Sequence, residues 1–277
     1  MRARQMTLAD LQAVLDWAAA EGWNPGLDDA AAFLATDPEG FFIAEVAGRP
    51  AAAIAVVNHD PDHAFLGLYI CRPEFRGQGI GLALWTHALR HAGARSVGLD
   101  GVAAQQANYA RAGFAATGST LRMEGAPDPG WAQGGALRPC PSGARDALLA
   151  LDAAAAGYRR PAFLKAWLED RPSRQTLIAE GPAGIAGFAT ARLCRADGKI
   201  GPVIAPDTGT ALALIGGAAR ALGLGRVAVD VPQQNRALLR ALAAAGFAET
   251  FRTARMVRGT PPAQGASLQG VAPLALG

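Results

Sequence analysis

Apolar positions along the chain recur with two periods, and their succession predicts the elements. Ile80, Leu84 and Ala88, with Leu82, Trp85 and Leu89, fall at helical spacing and predict a helix over 80–92. Short apolar runs such as FFIAEV and FLGLYIC predict strands. Along the first half the order is helices at 8–20 and 28–35, then strands at 41–46, 51–58 and 64–71. The helix at 80–92, a strand at 96–100, a short helix at 104–112 and a closing strand at 114–123 follow. The opening run MRARQMTLADLQAVLDW reads as one amphipathic helix carrying Asp10 and Asp16. Mostly antiparallel strands flanked by helices imply a mixed α/β (α+β) fold with a twisted sheet.

The same order returns in the second half. Helices are expected at 144–156 and 161–169, and strands at 175–180, 184–193 and 199–204. A helix at 210–221, a strand at 226–231, a helix at 233–245 and a strand at 247–257 complete it. GFAATGSTLRM from Gly113 and GFAETFRTARM from Gly246 agree at seven of eleven positions. The strands VGLD and VAVD end at Asp100 and Asp230, and Ile-Ala-Glu occurs at Ile43 and again at Ile178. These offsets of 133, 130 and 135 residues keep their order, as a tandem duplication would. The Gly- and Pro-rich stretch Gly125 to Pro139 marks the join. The chain therefore divides into a domain at 1–125, a linker at 126–136 and a second domain at 137–277 with a tail. That tail is either loose or, through VAPLAL, forms one extra strand.

Composition narrows the function. With 51 % hydrophobic and 18 % charged residues, each half can bury a core. The net charge of +3, without a basic cluster, argues against a nucleic-acid partner. No uncharged apolar run reaches the roughly 18 residues of a membrane span, and the start lacks a signal-sequence pattern. Cys71, Cys140 and Cys194 are scattered, which gives no disulfide framework or zinc pattern and suits a reducing, cytoplasmic setting. His59 and His63 lie in the turn NHDPDH, and His87 and His91 share a helix face without the Glu of a zinc helix. No metal is expected at either.

The candidate chemistry sits where strand FLGLYIC runs through Arg72-Pro73-Glu74-Phe75 into Arg76-Gly77-Gln78-Gly79-Ile80-Gly81 and a helix. Glycines let a ligand approach the backbone, and the first-turn N–H groups of a helix favour an anion. Alone, this is a plain turn, a dinucleotide fingerprint or a pyrophosphate cradle. Arg76-x-x-Gly79-x-Gly81, with Tyr109-x-x-x-Gly113-Phe114 downstream, resembles the cofactor motifs of the GNAT N-acetyltransferases. EGWNPG followed by DPEGFFIAE resembles their bacterial tandem subgroup, whose second GNAT-like domain is diverged.

The resemblance implies acetyl-CoA as co-substrate. Backbone groups of Gln78, Gly79, Ile80, Gly81 and Leu82 would hold the pyrophosphate, with Gly77 in the turn and Arg76 beside it. Ile70 and Cys71 would pair with the pantetheine arm, and Tyr109 would act as general acid toward the departing thiolate. The family's Asn, seven residues before that Tyr, is replaced by Val102. Asn108 is the candidate substitute. In the second copy the loop reads IAPDTGTALALIGG and Leu242 stands at the tyrosine position. Asn235 keeps the family's Asn, so the expectation is a retained fold with the cofactor site lost; the alternative is a second site with modified binding.

On the acceptor side, Glu21 is placed to attract an amine and Trp23 to stack on it, beside Asn24. Asn-Pro-Gly is equally ordinary turn chemistry. Tyr69 faces either cleft or core. Asp100 either acts as a base through water or caps the next turn. The expected activity is N-acetylation of a small-molecule or peptide amine; the alternative is an acyl-CoA sensor with little turnover. The expected assembly is a monomer with pseudo-dimeric domains or a weak homodimer.

Overall fold

In a computed structural model describing residues 1–133 and 136–277, the strands join into one mixed sheet. The linker glycines 134 and 135 lie outside the described residues. The first half contributes β1 (Arg2–Gln5), α1 (Leu8–Ala20), α2 (Asp29–Thr36), β2 (Phe41–Val46), β3 (Arg49–Asn58) and β4 (His63–Cys71). It continues with α3 (Ile80–Ala88), β5 (Ser96–Val102), α4 (Gln106–Arg111) and β6 (Ala115–Gly125). The second half contributes β7 (Leu137–Pro139), α5 (Arg145–Ala156), α6 (Pro161–Trp167), β8 (Arg174–Gly181), β9 (Gly184–Leu193) and β10 (Gly198–Ile204). Then come α7 (Thr208–Ala221), β11 (Val227–Pro232), α8 (Arg236–Ala244), β12 (Ala248–Arg258) and β13 (Leu268–Gly270).

Residues 2–5 form an edge strand on β2, with Arg4 opposite Ile43, and not the start of a helix. The reason is local. Thr7 and Asp10 form a reciprocal capping box, which fixes the start of α1 at Leu8. Ahead of it, Arg4 is tied to Asp10 and Glu45 by ion pairs of 2.7 Å each.

The sheet order is β1-β2-β3-β4-β5-β12-β6-β11-β10-β9-β8-β7, with β13 on β10. The two halves have exchanged their closing strands. β12 of the second half lies against β5 of the first, and β6 of the first lies against β11 of the second. The sheet therefore runs on from one half into the other without a break. The repeat shows why the exchange is held. Arg255 stands opposite Asp100, and Arg122 opposite Asp230. Both pairs are closed by guanidinium contacts of 2.8 Å to carboxylates that are nearly inaccessible. The Asp and Arg shared by the two copies thus meet across the exchange.

A second junction lies between the helices. Phe33 of α2 stacks on Trp167 of α6, and the guanidinium groups of Arg174 and Arg192 sit 4.4 and 4.8 Å from the Trp167 ring centroid. Arg192 also pairs with the buried Asp29, so the apolar core here runs through both halves.

The tail is neither loose nor a strand through VAPLAL. Its strand comes earlier, at Leu268–Gly270, and Val271, Ala272 and Leu276 are buried in the shared core. His59 Nε2 donates to Leu276 O at 2.7 Å, and Arg160, paired with Asp152 at 2.7 Å, donates to Gly277 O. Burial, with a lesser effect of Arg160, pushes the His59 pKa from 6.5 down to about 4. Below pH 6.5 the unfolded chain takes up a proton that the folded chain refuses until pH 4. Stability from this site is full above pH 6.5 and falls by up to about 3 kcal/mol as pH drops to 4. A His59→Gln variant is expected to show a flatter pH dependence of denaturation over that window. Parallel curves would remove the buried neutral histidine from the account.

Candidate functional site

The first half opens where two strands part. β4 and β5 run parallel and pair only from His63↔Ser96 to Leu66↔Leu99. Beyond Leu66 the chain bends. Leu68 takes a left-handed φ of 47°, and the β3 register shifts between Ala53 and Ala55. This is a bulge, the device that turns a strand away from its neighbour. Pairing with β3 resumes at Ala53↔Ile70 and Ala52↔Cys71, so Ile70 and Cys71 are held on one edge while the other faces the gap. The splay gives a peptide-like ligand an open strand edge.

The glycine loop lies at the end of that edge. Gly77 and Gly79 have φ of 75° and 74°, which a side chain would strain, although open space surrounds both. At Gly81 a Cβ would lie 2.7 Å from Tyr69 Oη. The first backbone bond of α3 runs from Ala83 N to Gly79 O at 3.0 Å. The N–H groups of Ile80, Gly81 and Leu82 therefore have no intrahelical acceptor. Gln78 shapes the loop through its side chain, which donates to Glu74 O at 3.0 Å. Arg76 donates to Cys71 O at 2.8 Å and pairs with Glu21 at 2.5 Å. Glu21 is thus committed to Arg76, on the outside of the cleft.

Tyr109 on α4 is buried and stacks on Trp85 of α3 at 5.4 Å, while Tyr69 meets the same ring edge-on at 5.2 Å. Among the described residues neither tyrosine hydroxyl has a hydrogen-bond partner. Burial, and then the neighbouring Tyr69, push the Tyr109 pKa up to about 12. Both tyrosines line one cleft. Trp23, Asp100 and Val102 line it too. Asp100 lies within β5, not at its end, and caps no turn. Its carboxylate is taken by Arg255 and, at 3.3 Å, by the hydroxyl of Thr253. Burial raises its pKa.

Two further expected residues lie elsewhere. Asn24, at φ 49°, exchanges two hydrogen bonds with the backbone of Ala196 at 2.6 and 3.0 Å. It fastens the two halves together and does not line this cleft. Asn108 is exposed and engaged with Gln105, at 2.6 Å, and with Arg111. Gln105, not Asn108, reaches the cleft.

Much of the wall had no sequence signal. Arg122, Arg192, Lys199, Asp230 and Phe251 close the cleft from the exchanged strand and the second half, and Pro273, Leu274 and Ala275 line it from the tail. Arg122 and Asp230 showed only as repeated positions, and Lys199 was visible as one of only two lysines, set in an apolar strand.

The second copy has the same splay, and the chain fills it. β10 pairs with β11 only as far as Ile200↔Val229, then with β13 through Val203↔Gly270. Val271 N donates to Asp230 O at 2.8 Å, and Asn235 Nδ2 donates to Leu268 O and Gln269 O. At the start of α7, Asp207 accepts from Thr210 N at 2.8 Å, so a carboxylate of the chain sits at that helix N-terminus. Leu242 is buried in the core.

Similarity to known proteins agrees with this architecture. The model of the acetyltransferase (GNAT) family matches residues 8–116, and that of an acetyltransferase (GNAT) domain matches residues 148–269. A holothin acyltransferase of Pseudoalteromonas sp. (strain SANK 73390) is 33 % identical over 274 residues, covering 98 % of this chain and 92 % of the relative. The chain belongs to the GNAT acetyltransferase family and is an acyltransferase with two GNAT domains in tandem. A Pyrococcus horikoshii structure, crystallised as a candidate acetyltransferase, has the same fold (TM-score 0.81, 19 % identity, 100 % of this chain and 95 % of that one). So does a tandem GNAT protein from the clavulanic acid biosynthesis pathway (TM-score 0.63, 17 % identity, 94 % and 99 %).

The family works with acyl-CoA co-substrates on amine or small-molecule acceptors. Among the described residues no group of three or more His, Cys, Asp or Glu is placed to hold a metal ion. Nor, among the described residues, is any helix long and apolar enough to cross a membrane.

Proposed function

We propose that the first half binds acetyl-CoA in the β4/β5 splay and transfers the acetyl group to a primary amine of a small molecule or peptide. The contrast between the copies carries this reading. One splay and helix N-terminus are open beside a buried tyrosine, and the other pair is filled by β13 and Asp207.

The residues fit the co-substrate. Free N–H groups at the start of α3 suit a pyrophosphate, and the open edge at Ile70 and Cys71 suits an amide-bearing arm. The thioester supplies an activated acyl carbon. Amine attack on it leaves an ammonium and a thiolate, so the site needs a hydrogen-bond donor at sulfur. Tyr109 stays protonated, with its hydroxyl free. A thiol titrates near 8.5, below the roughly 12 of this phenol, so Tyr109 works best by donating a hydrogen bond to the developing thiolate. The second half serves as a wall of the acceptor cavity.

The test is thiol release from acetyl-CoA with a panel of amines, together with acetyl-CoA binding by calorimetry. Holothin, the acceptor named for the Pseudoalteromonas relative, is the first small molecule to include. Expected results are one acetyl-CoA bound per chain and amine-dependent thiol release. Binding without any amine-dependent release would make the protein a sensor, and the transferase reading would fail.

A further inference from the structure

The wall of the cleft holds six charged side chains, and their pairing is uneven. Asp230 is held by Arg122 at 2.8 Å, Asp29 by Arg192 with Arg174 at 3.6 Å, and Asp100 by Arg255 at 2.8 Å. Every carboxylate of the wall therefore has an arginine. Lys199 is the cation left over. It is 6 % exposed, and among the described residues no carboxylate lies within ion-pair distance of it. Its one hydrogen bond goes to Trp23 O at 2.7 Å, leaving two of the three ammonium N–H donors unused. Arg192 Nε, also in this wall, is buried with no partner. Burial first, and then the positive charge of Arg122, push the Lys199 pKa down to about 8. Most of the side chain is still an ammonium at neutral pH. A buried cation with spare donors is costly unless something completes it.

We propose that the acceptor carries an oxygen group, carboxylate or carbonyl, at the end remote from its amine, and that Lys199 selects for it. This rests on the amine-transferase reading and gives that site its substrate class. An oxygen docked on Lys199 satisfies donors that the protein leaves open. A second ammonium at the same place meets like charge, so diamines are rejected. An alkyl end leaves the donors dry and unpaired.

The test compares three primary amines of equal length ending in a carboxylate, a carboxamide or a methyl group. Steady-state kinetics are measured with wild type and Lys199→Met. Wild type is expected to favour the two oxygen-ended amines by tenfold or more in kcat/KM. Lys199→Met is expected to lose that preference through KM, which rises for the two oxygen-ended amines and falls for the methyl-ended one now that no donor is left unpaired; the retained turnover of the methyl-ended amine also shows that the variant is folded. A drop for the carboxylate alone assigns Lys199 to an anion, and equal drops for both assign it to a hydrogen bond. If wild type prefers the methyl-ended amine, or the variant weakens all three equally, the proposal is overturned. Thermal protection by the same amines separates the two readings. Protection by the oxygen-ended amines that disappears in Lys199→Met, without turnover, upholds the Lys199 site and sinks the transferase. Turnover without such protection sinks the Lys199 site alone.

Discussion

Tyr109→Phe is expected to lower kcat by about a hundredfold or more, the range for loss of one positioned donor, with acyl-CoA affinity and melting temperature nearly unchanged. The reason is a division of labour within one side chain. The ring does the packing: it is 8 % exposed and stacked on Trp85 at an interplanar angle of 14°. Phenylalanine keeps that contact. Among the described residues the hydroxyl has no hydrogen bond to lose, so its removal leaves no orphaned partner there. Only the donor to the developing thiolate goes. The pKa near 12 sharpens the expectation, because the phenol stays protonated over any ordinary assay range. A fall in rate above neutral pH must therefore come from another group. Steady-state rates across pH 6 to 9 for wild type and variant, with a melting curve for each, are the check. A variant with undiminished kcat removes Tyr109 from the chemistry. A variant with a lowered melting temperature makes the tyrosine structural.

The glycine loop could be read from the chain because its parts are local. Glycines at 77 and 79 answer a left-handed backbone, and Arg76 to Gly81 lies between a strand and a helix. Glu21 and Asn24 were harder for the opposite reason. Their partners, Arg76 and Ala196, lie 55 and 172 residues away, and nothing near Asn24 announces a contact with the second half. The strand exchange was invisible for a further reason. The two copies carry the same Asp and the same Arg, so the repeat looks identical whether Asp100 meets Arg122 of its own copy or Arg255 of the other. Only the register decides, and it places Arg255 opposite Asp100. The tail misled through composition. VAPLAL looks like a strand, yet the pairing groups are those of Leu268 to Gly270, where Val203, Ile204 and Asn235 offer backbone and amide partners.

Breaking one exchanged ion pair should reveal how much the fold depends on it. Arg255→Met is expected to cost about 3–5 kcal/mol in unfolding free energy, the usual price of stranding a buried charge. Asp100, almost wholly inaccessible, would keep only the Thr253 hydroxyl as partner. Methionine retains part of the packing on Phe65, over which the guanidinium sits at 5.1 Å. The loss should depend on pH with a definite sign. Burial already raises the Asp100 pKa, and removing Arg255 takes away its main opposing influence. A carboxyl whose folded pKa lies above its unfolded value loses stability as pH rises from the unfolded pKa toward the folded one. Arg255→Met should accordingly be closer to wild type at pH 5 than at pH 8. The double variant Asp100→Leu with Arg255→Met should recover much of the loss, because neither charge is then stranded. The unfolding free energies of the two single variants should not add, as expected of residues in direct contact. Arg122→Met should also be destabilising, since Asp230 is the counterpart of Asp100 in the second copy, but its pH dependence is expected to differ: despite burial, Arg122, with Lys199 and Arg192 nearby, holds the Asp230 carboxyl below the usual range. Because β12 and β6 each serve the other half, urea unfolding of wild type should show one transition, not two. Two separate transitions, or a double variant no better than Arg255→Met, would mean that the exchanged strands do not lock the halves together.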